Sequence, residues 1–299
     1  MSIGLIRNRE GSADFNVRWP WTSGHLQPGL TAVLRLKDEA RNLPWVLPPL
    51  MRAVDQIVLV DNQSTDGTVD LARQIAEREG AAGRLHITEY PFDVSRCGPE
   101  HLETPGDSVH SLTHFYNWSF SQAQTQYSMK WDGDMVLTPE GAALVADVGW
   151  QIATEETIVV FQHHPLYVES PQVAYFDIKL RNMEPWIYPQ GPDYTYIKGF
   201  DWEIRAFPDD VRRMTMPQGL CFELKWLDMD EFAHWSTPEA FDPVRSPRKV
   251  REYEVFTALV EGRSGDVDCL HRIVAPEGVH VVDHVAQTWL PRMPRPLST

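Results

Sequence analysis

The stretch QIVLVDNQSTDGT, residues 56–68, decides the fold, and YSMKWDGDMVLTP, residues 127–139, places a site on it. Each opens on an apolar run of strand length and ends in carboxylates where that strand runs out. These are Asp61 and Asp66 in the first stretch, Asp132 and Asp134 in the second. Short apolar runs bounded by turn residues read as buried strands. In an open α/β sheet, ligands bind beyond the carboxyl ends of the strands. Two such ends with clustered carboxylates predict one site for a divalent metal and a polar, phosphorylated ligand.

The flanking sequence extends the pattern. TAVLRLK (31–37) reads as a first buried strand. Asn42 caps a following helix with Pro44 in its first turn, and Pro48 and Pro49 are expected to break or kink it early. Asp66 is read as the cap of a helix whose Val69, Ala72, Ile75 and Ala76 recur at helical spacing. RLHITEY (84–90) is a third strand, 91–106 a loop, 107–123 a helix and SMKW (128–131) a central strand. This alternation predicts an α/β fold with a mostly parallel sheet and right-handed crossovers. TIVVFQHH (157–164) continues the sheet. Residues 165–225 break into short runs separated by Pro and Gly, which predicts antiparallel or mixed pairing. Ser246 and Pro247 start a late helix that Gly262 closes.

Composition narrows the function. The 299 residues include 42% hydrophobic side chains and 11 Trp, enough for a large core. A formal charge of −15 argues against nucleic acid and anionic lipid as partners, since both call for a Lys/Arg surplus. No apolar run reaches membrane-spanning length, and the N-terminus lacks a signal-like run, so a cytoplasmic protein is expected. Cys97, Cys221 and Cys269 form no metal or disulfide pattern and are read as neutral thiols in a reducing compartment.

Four stretches carry a family resemblance: TAVLRLKDEARNLPWVL (31–47), QIVLVDNQSTDGT (56–68), FYNWSFSQA (115–123) and KWDGDMVLTP (130–139). In this order, over roughly the first half of the chain, they resemble the GT-A glycosyltransferases and, among them, the large family-2 group. The resemblance implies a GT-A, Rossmann-like sheet flanked by helices, with a mixed C-terminal acceptor half. It further implies that Asp134 coordinates Mg²⁺ or Mn²⁺, with Asp132 facing the ribose or the metal's water shell. Gly133 lets both carboxylates project from a tight turn. Asp61 would meet the nucleotide base, beside Asn62 where many relatives carry a second Asp. Arg35, Glu39, Asn117 and Lys130 complete the expected nucleotide-sugar set. Arg35 alternates with Val33 and equally suits a buried pairing with a carboxylate. Tyr116 stands where relatives have an Arg before the Asn.

The second half must supply a general base for in-line attack on the sugar. Glu203, in GFDWEIRAF with Asp201 beside it, is preferred over Glu223, in GLCFELKW; Asp228 and Asp230 are less well framed. His234 or His284 is a candidate third metal ligand. Most of Trp186, Tyr188, Tyr194, Tyr196, Trp202, Trp226 and Trp235 are expected in the core, with a minority lining an acceptor groove. The expected division is a wrapping segment (1–30), a nucleotide-sugar-binding half (31–164), an acceptor half with a C-terminal helix (165–290) and a Pro-rich tail (291–299). The function read from all this is a metal-dependent inverting glycosyltransferase, hexosyltransferase-type, with a UDP-linked donor. Its acceptor would be a glycan, a lipid-linked sugar or a small molecule. A nucleotidyltransferase and a non-catalytic nucleotide- or sugar-binding module are the alternatives.

Overall fold

The computed structural model describes residues 4–152, 155–180, 182–229, 232 and 242–290. A hairpin of β1 (Leu5–Ile6) and β2 (Val17–Arg18) precedes the alternating region. That region comprises β3 (Gln27–Leu36), α1 (Leu43–Ala53), β4 (Gln56–Asp61), α2 (Thr68–Arg78), β5 (Leu85–Glu89), α3 (Pro99–Glu103), α4 (Leu112–Phe120) and β6 (Thr125–Trp131). Next come β7 (Met135–Leu137), α5 (Pro139–Ile152), β8 (Thr157–His163), β9 (Pro165–Ser170), β10 (Val173–Asp177) and β11 (Asn182–Pro189). The chain continues through β12 (Tyr196–Lys198), β13 (Glu203–Arg205), β14 (Arg212–Thr215), β15 (Cys221–Trp226), α6 (Pro247–Val260), β16 (Leu270–Val274) and α7 (Val281–His284).

The central sheet has seven strands in the order β14-β8-β11-β6-β3-β4-β5. β3 pairs in parallel with β4 and β6, and β4 with β5. β11 runs antiparallel to β6 and β8, while β14 runs parallel to β8. The expected mostly parallel sheet flanked by helices is therefore present, with β11 as its reversed strand. That reversal brings the first residues of β11, Asn182 and Glu184, to the edge where β3, β4, β6 and β8 end. Strand alternation gives the sheet two apolar faces. Ala32, Leu34, Leu36, Ile57 and Leu59 lie in one core with α1, α2 and α5. Val33, Val58 and Val60 lie in another with α4 and the N-terminal Val17 and Trp19.

A second, mixed sheet has the order β16-β10-β9-β15-β7. Its β7 follows the DGD triplet directly and pairs antiparallel with β15, placing Glu223 opposite Met135. Leu224 N donates to Asp134 O at 2.8 Å, so the triplet is the corner at which the chain passes between sheets. No helix among the described residues is long and apolar enough to cross a membrane.

Several local expectations change. α1 runs through Pro48 and Pro49 instead of stopping there. An internal proline costs about 3 kcal/mol, but α1 buries Leu43, Val46, Leu47, Leu50 and Met51, each contributing about 1.5–3 kcal/mol. The helix expected over 107–123 is confined to Leu112–Phe120, capped by the Ser111 side chain accepting from Thr113 N. The loop at 91–106 contains the short α3, and α5, not foreseen, covers the sheet. Of the aromatic residues expected mainly in the core, Trp186, Tyr188, Tyr194, Tyr196 and Trp226 are buried. Trp202 is half-buried. Trp235, His234, Asp230 and the tail at 291–299 lie outside the described residues.

Candidate functional site

The C-terminal edge of the central sheet collects the charged residues. Asp61, the last residue of β4, is buried; its Oδ2 accepts a long 3.3 Å bond from Ser64 N. Its Oδ1 is buried with no hydrogen-bond partner among the described residues. A carboxylate oxygen left dry and unpaired is costly, and such groups call for a ligand or another explanation. Asn62, beside it, uses its amide protons to hold the chain after β5, donating to Tyr90 O at 2.9 Å and Phe92 O at 2.8 Å. Asp66, expected as the cap of α2, stands one residue before it: Gly67 is the N-cap, and Asp66 Oδ1 accepts from Thr68 N at 3.0 Å and from the Thr68 hydroxyl at 2.6 Å.

Arg35 emerges on the α4 side of β3. Its Nη2 donates to Asp132 Oδ1 at 2.8 Å, and its guanidinium lies 3.9 Å above the Tyr116 ring centroid. Tyr116 of α4 therefore supports the Arg35 guanidinium from the neighbouring strand β3. Lys130 Nζ approaches Asp132 Oδ2 at 3.5 Å. Burial works against the Lys130 charge, but Asp132, Tyr116 and Glu184 raise its pKa well above the ordinary value. Burial likewise opposes the Glu184 charge, while Lys130, His163 and Arg248 draw it down to about 2.

Gly133 is needed for space. A Cβ there would lie 2.7 Å from Glu39 Cγ and 2.7 Å from Leu36 Cδ2. Glu39 accepts from Asn42 Nδ2 at 2.7 Å, and Asn42 Oδ1 accepts from Trp226 Nε1 at 2.7 Å. Glu39 therefore packs against Gly133 and is joined through Asn42 to Trp226 of β15. Asn117 has a structural role in place of the expected ligand contact. Its Nδ2 donates to Tyr196 O and its Oδ1 accepts from Tyr196 N, both at 2.8 Å, so both ends of its amide fasten α4 to β12.

Asp134 meets residues that sequence spacing left unassigned. Lys225 Nζ is 3.0 Å from Asp134 Oδ2, 2.8 Å from Glu223 Oε1 and 3.9 Å from Glu252 Oε1, with its side chain only 3% exposed. Glu252, fully buried on α6, also accepts from Arg248 at 3.1 Å and pairs with Lys249 at 3.2 Å. His163 Nε2 lies 3.5 Å from Glu223 Oε2. Burial opposes ionisation of Glu223, yet Lys225 and His163 hold it well below the usual carboxylate range. Burial pushes Asp134 in the other direction, upward against the pull of Lys225. Lys225 is two residues from Glu223 on one strand, hence on the same face; that spacing was the available signal. Glu252 and His163 left no such signal.

Glu203 starts β13 and is half-buried. Burial raises its pKa, against the opposing influence of the Lys130 and Arg35 charges. Asp201 is buried and tied down: Arg245 Nε donates to its Oδ2 at 3.3 Å, and its backbone carbonyl accepts from Gly98 N at 2.7 Å. Its carboxylate therefore anchors the loop before Glu203. Asp228 pairs on the surface with Arg41, at 2.7 and 3.1 Å. His284 belongs to α7, whose Val281 and Val282 enter the main core.

Among the described residues, the donor set does not fit a divalent ion as arranged. Three of the four carboxylate oxygens of Asp132 and Asp134 already face Arg35, Lys130 and Lys225. An Mg²⁺ about 2.1 Å from an Asp134 oxygen would share that carboxylate with the Lys225 ammonium. At a separation near 4 Å the two would repel by about 8 kcal/mol for an effective dielectric of 20. Among the described residues, no group of three or more His, Cys, Asp or Glu is placed to hold a metal.

No family model matches this chain, and no curated protein matches it. Solved structures do show likeness. S. aureus TarS (residues 1–349) in complex with UDP-GlcNAc aligns over 79% of this chain and 72% of its own, at 13% identity and a TM-score of 0.42. The mannosyltransferase PcManGT from Pyrobaculum calidifontis, in complex with GDP-Man and Mn²⁺, aligns over 66% of this chain and 57% of its own, at 17% identity and a TM-score of 0.40. Glucosyl-3-phosphoglycerate synthase from Mycobacterium tuberculosis, in complex with Mn²⁺, UDP and phosphoglyceric acid, aligns over 50% and 45%, at 17% identity and a TM-score of 0.28.

Proposed function

We propose that the chain is a glycosyltransferase that moves a sugar, with inversion, from a nucleotide-diphosphate donor to a hydroxyl acceptor. The observation that carries this reading is the row of charges along the carboxyl edge of β4, β3 and β6. It runs from the unpaired buried Oδ1 of Asp61 to the cation-bound pair Asp132 and Asp134. Asp61 suits a base that offers an N–H, and a uracil imide is the favoured one, making the donor UDP-linked. Lys130 suits the diphosphate.

Glu203 is the proposed base. It takes the proton from the acceptor hydroxyl as that oxygen bonds to the anomeric carbon. The bond from that carbon to the β-phosphate oxygen breaks, and the nucleoside diphosphate leaves with the electron pair. A raised pKa suits a general base, because basicity rises with it. Glu223, held ionised by Lys225 and His163, suits a fixed charge better than a proton carrier.

The loop after β3 speaks against a nucleotidyltransferase. Its successive amides of Asp38, Glu39 and Ala40 donate to Ser64 Oγ, Thr68 Oγ1 and Asp66 Oδ2, at 2.9, 2.8 and 2.9 Å. They are not turned outward to cradle phosphates. The test is a thermal-shift screen of UDP, GDP, ADP and CDP, followed by hydrolysis of the matching nucleotide sugars. Binding raises apparent stability by mass action, so a chain that none of the four stabilises is not a nucleotide-sugar enzyme. Stabilisation without turnover of any donor would favour the non-catalytic binding module.

A further inference from the structure

We propose that at this site the Lys130 ammonium, backed by the other cations of the sheet edge, meets the donor diphosphate, so that donor binding requires no divalent ion. The proposal rests on the nucleotide-sugar reading above and deepens it. The chain carries 27 Lys and Arg against 42 Asp and Glu, so cations are scarce. Five of them, Arg35, Lys130, Lys225, Arg248 and Lys249, nevertheless cluster around the DGD corner and the buried carboxylates beside it.

Their arrangement divides the work. Lys225 occupies the Asp134 oxygen that would otherwise be open to a metal, with its Nζ 3.0 Å from Asp134 and 2.8 Å from Glu223. It is enclosed by β15 and by Glu252 of α6, so it cannot swing into water to vacate that position. Arg35 is equally committed, buried between Asp132 and the Tyr116 ring. Lys130 differs: its side chain is 22% exposed and, among the described residues, its nearest carboxylate oxygen is 3.5 Å away, beyond a tight pairing. Its ammonium is therefore the one left partly open to an incoming phosphate. Arg248 and Lys249 add positive charge from α6, anchored by the buried Glu252. In this design Asp132 and Asp134 hold protein cations in place, and preorganised cations stabilise the charge that develops on the leaving diphosphate.

The test is calorimetry of UDP and GDP binding to the full chain, in EDTA and in millimolar Mn²⁺, alongside electron paramagnetic resonance of Mn²⁺ titrated into the protein without nucleotide. The expected result is nucleotide affinity equal within about twofold in the two buffers, and no protein-bound Mn²⁺ signal. Lys130→Gln is expected to weaken nucleotide binding by about 10- to 150-fold, the range for a lost hydrogen bond to a charged group. Lys225→Gln opens Asp134 and Glu223 and should make binding depend on Mn²⁺. If wild-type affinity rises about tenfold or more with Mn²⁺, or the wild type binds Mn²⁺ alone, the proposal is overturned while the donor reading stands. If neither nucleotide binds in either buffer, the UDP- or GDP-linked donor reading fails and the proposal with it. The wild-type comparison decides the matter even if Lys225→Gln does not fold.

Discussion

Replacing Asp61 by Asn separates a ligand-binding carboxylate from a structural one, because the two roles predict opposite signs for stability. Asp61 is 7% exposed, its Oδ1 has no partner, and its Oδ2 receives one bond of 3.3 Å. A buried, unsatisfied polar atom costs about 1–3 kcal/mol, more when charged. Asn keeps the shape and removes the charge, so Asp61→Asn should stabilise the free protein by about 1 kcal/mol, the low end of that range. The same change removes the anionic acceptor for a base N–H. Hydrogen bonds to charged groups contribute about 1.5–3 kcal/mol, which is about 10- to 150-fold in affinity. Urea denaturation measures the first effect and calorimetry with UDP the second. Higher stability with weaker UDP binding is expected. Equal UDP affinity in mutant and wild type would refute the assignment of Asp61 to the base. A loss of stability would show that the carboxylate is needed by the fold, as a loop cap is.

The remaining predictions concern the walls of the cleft. Glu203→Gln should slow turnover by about 10²–10⁴-fold with donor affinity kept; if only Glu223→Gln behaves this way, the two residues exchange roles. The acid limb of the wild-type rate should lie above the ordinary glutamate value of about 4.3, since burial raises the Glu203 pKa and a base must be deprotonated to act. A limb at or below that value would exclude Glu203. For the same reason, ionising Glu203 opposes folding, so its contribution to stability falls as pH rises through the raised pKa. Glu203→Gln should then melt higher than wild type at neutral pH, though not in acid. Asp132→Ala leaves the Arg35 guanidinium buried without its carboxylate, and should cost about 1–3 kcal/mol in urea denaturation, the range for a buried polar group left unsatisfied. Gly133→Ala puts a Cβ 2.7 Å from both Glu39 Cγ and Leu36 Cδ2. Its strain should cost about 1–3 kcal/mol and weaken nucleotide binding as the triplet shifts; an unchanged melting temperature would show that the Glu39 side chain simply moves aside.

The sequence by itself determined the elements whose pattern is local. β3, β4, β5 and β6 follow from apolar runs of strand length, and the carboxylates at the ends of β4 and β6 lie at the predicted sheet edge because a strand's last residue is fixed by where its apolar run stops. The bond from Asp66 to Thr68 N, two residues on, was likewise legible, although the cap position itself falls on Gly67; that Arg35 faces a buried carboxylate followed from its alternation with Val33, but which carboxylate did not. Tertiary structure decided what those carboxylates face. Asp134 meets Lys225, 91 residues away, because β7 folds back against β15, and no local periodicity encodes that pairing. Glu252 reaches the same ammonium from α6. Asn117 could be placed on its helix from sequence, but only the packing of α4 on β12 showed both ends of its amide engaged by Tyr196. The prolines of α1 show the same limit. Local propensity argued for a break, and burial against the sheet, a sum over distant contacts, outweighed it. Charge signs and strand ends are properties of short stretches. Which charge neutralises which is a property of the chain's path, and in this cleft it puts lysine and arginine on the carboxylates expected to bind metal.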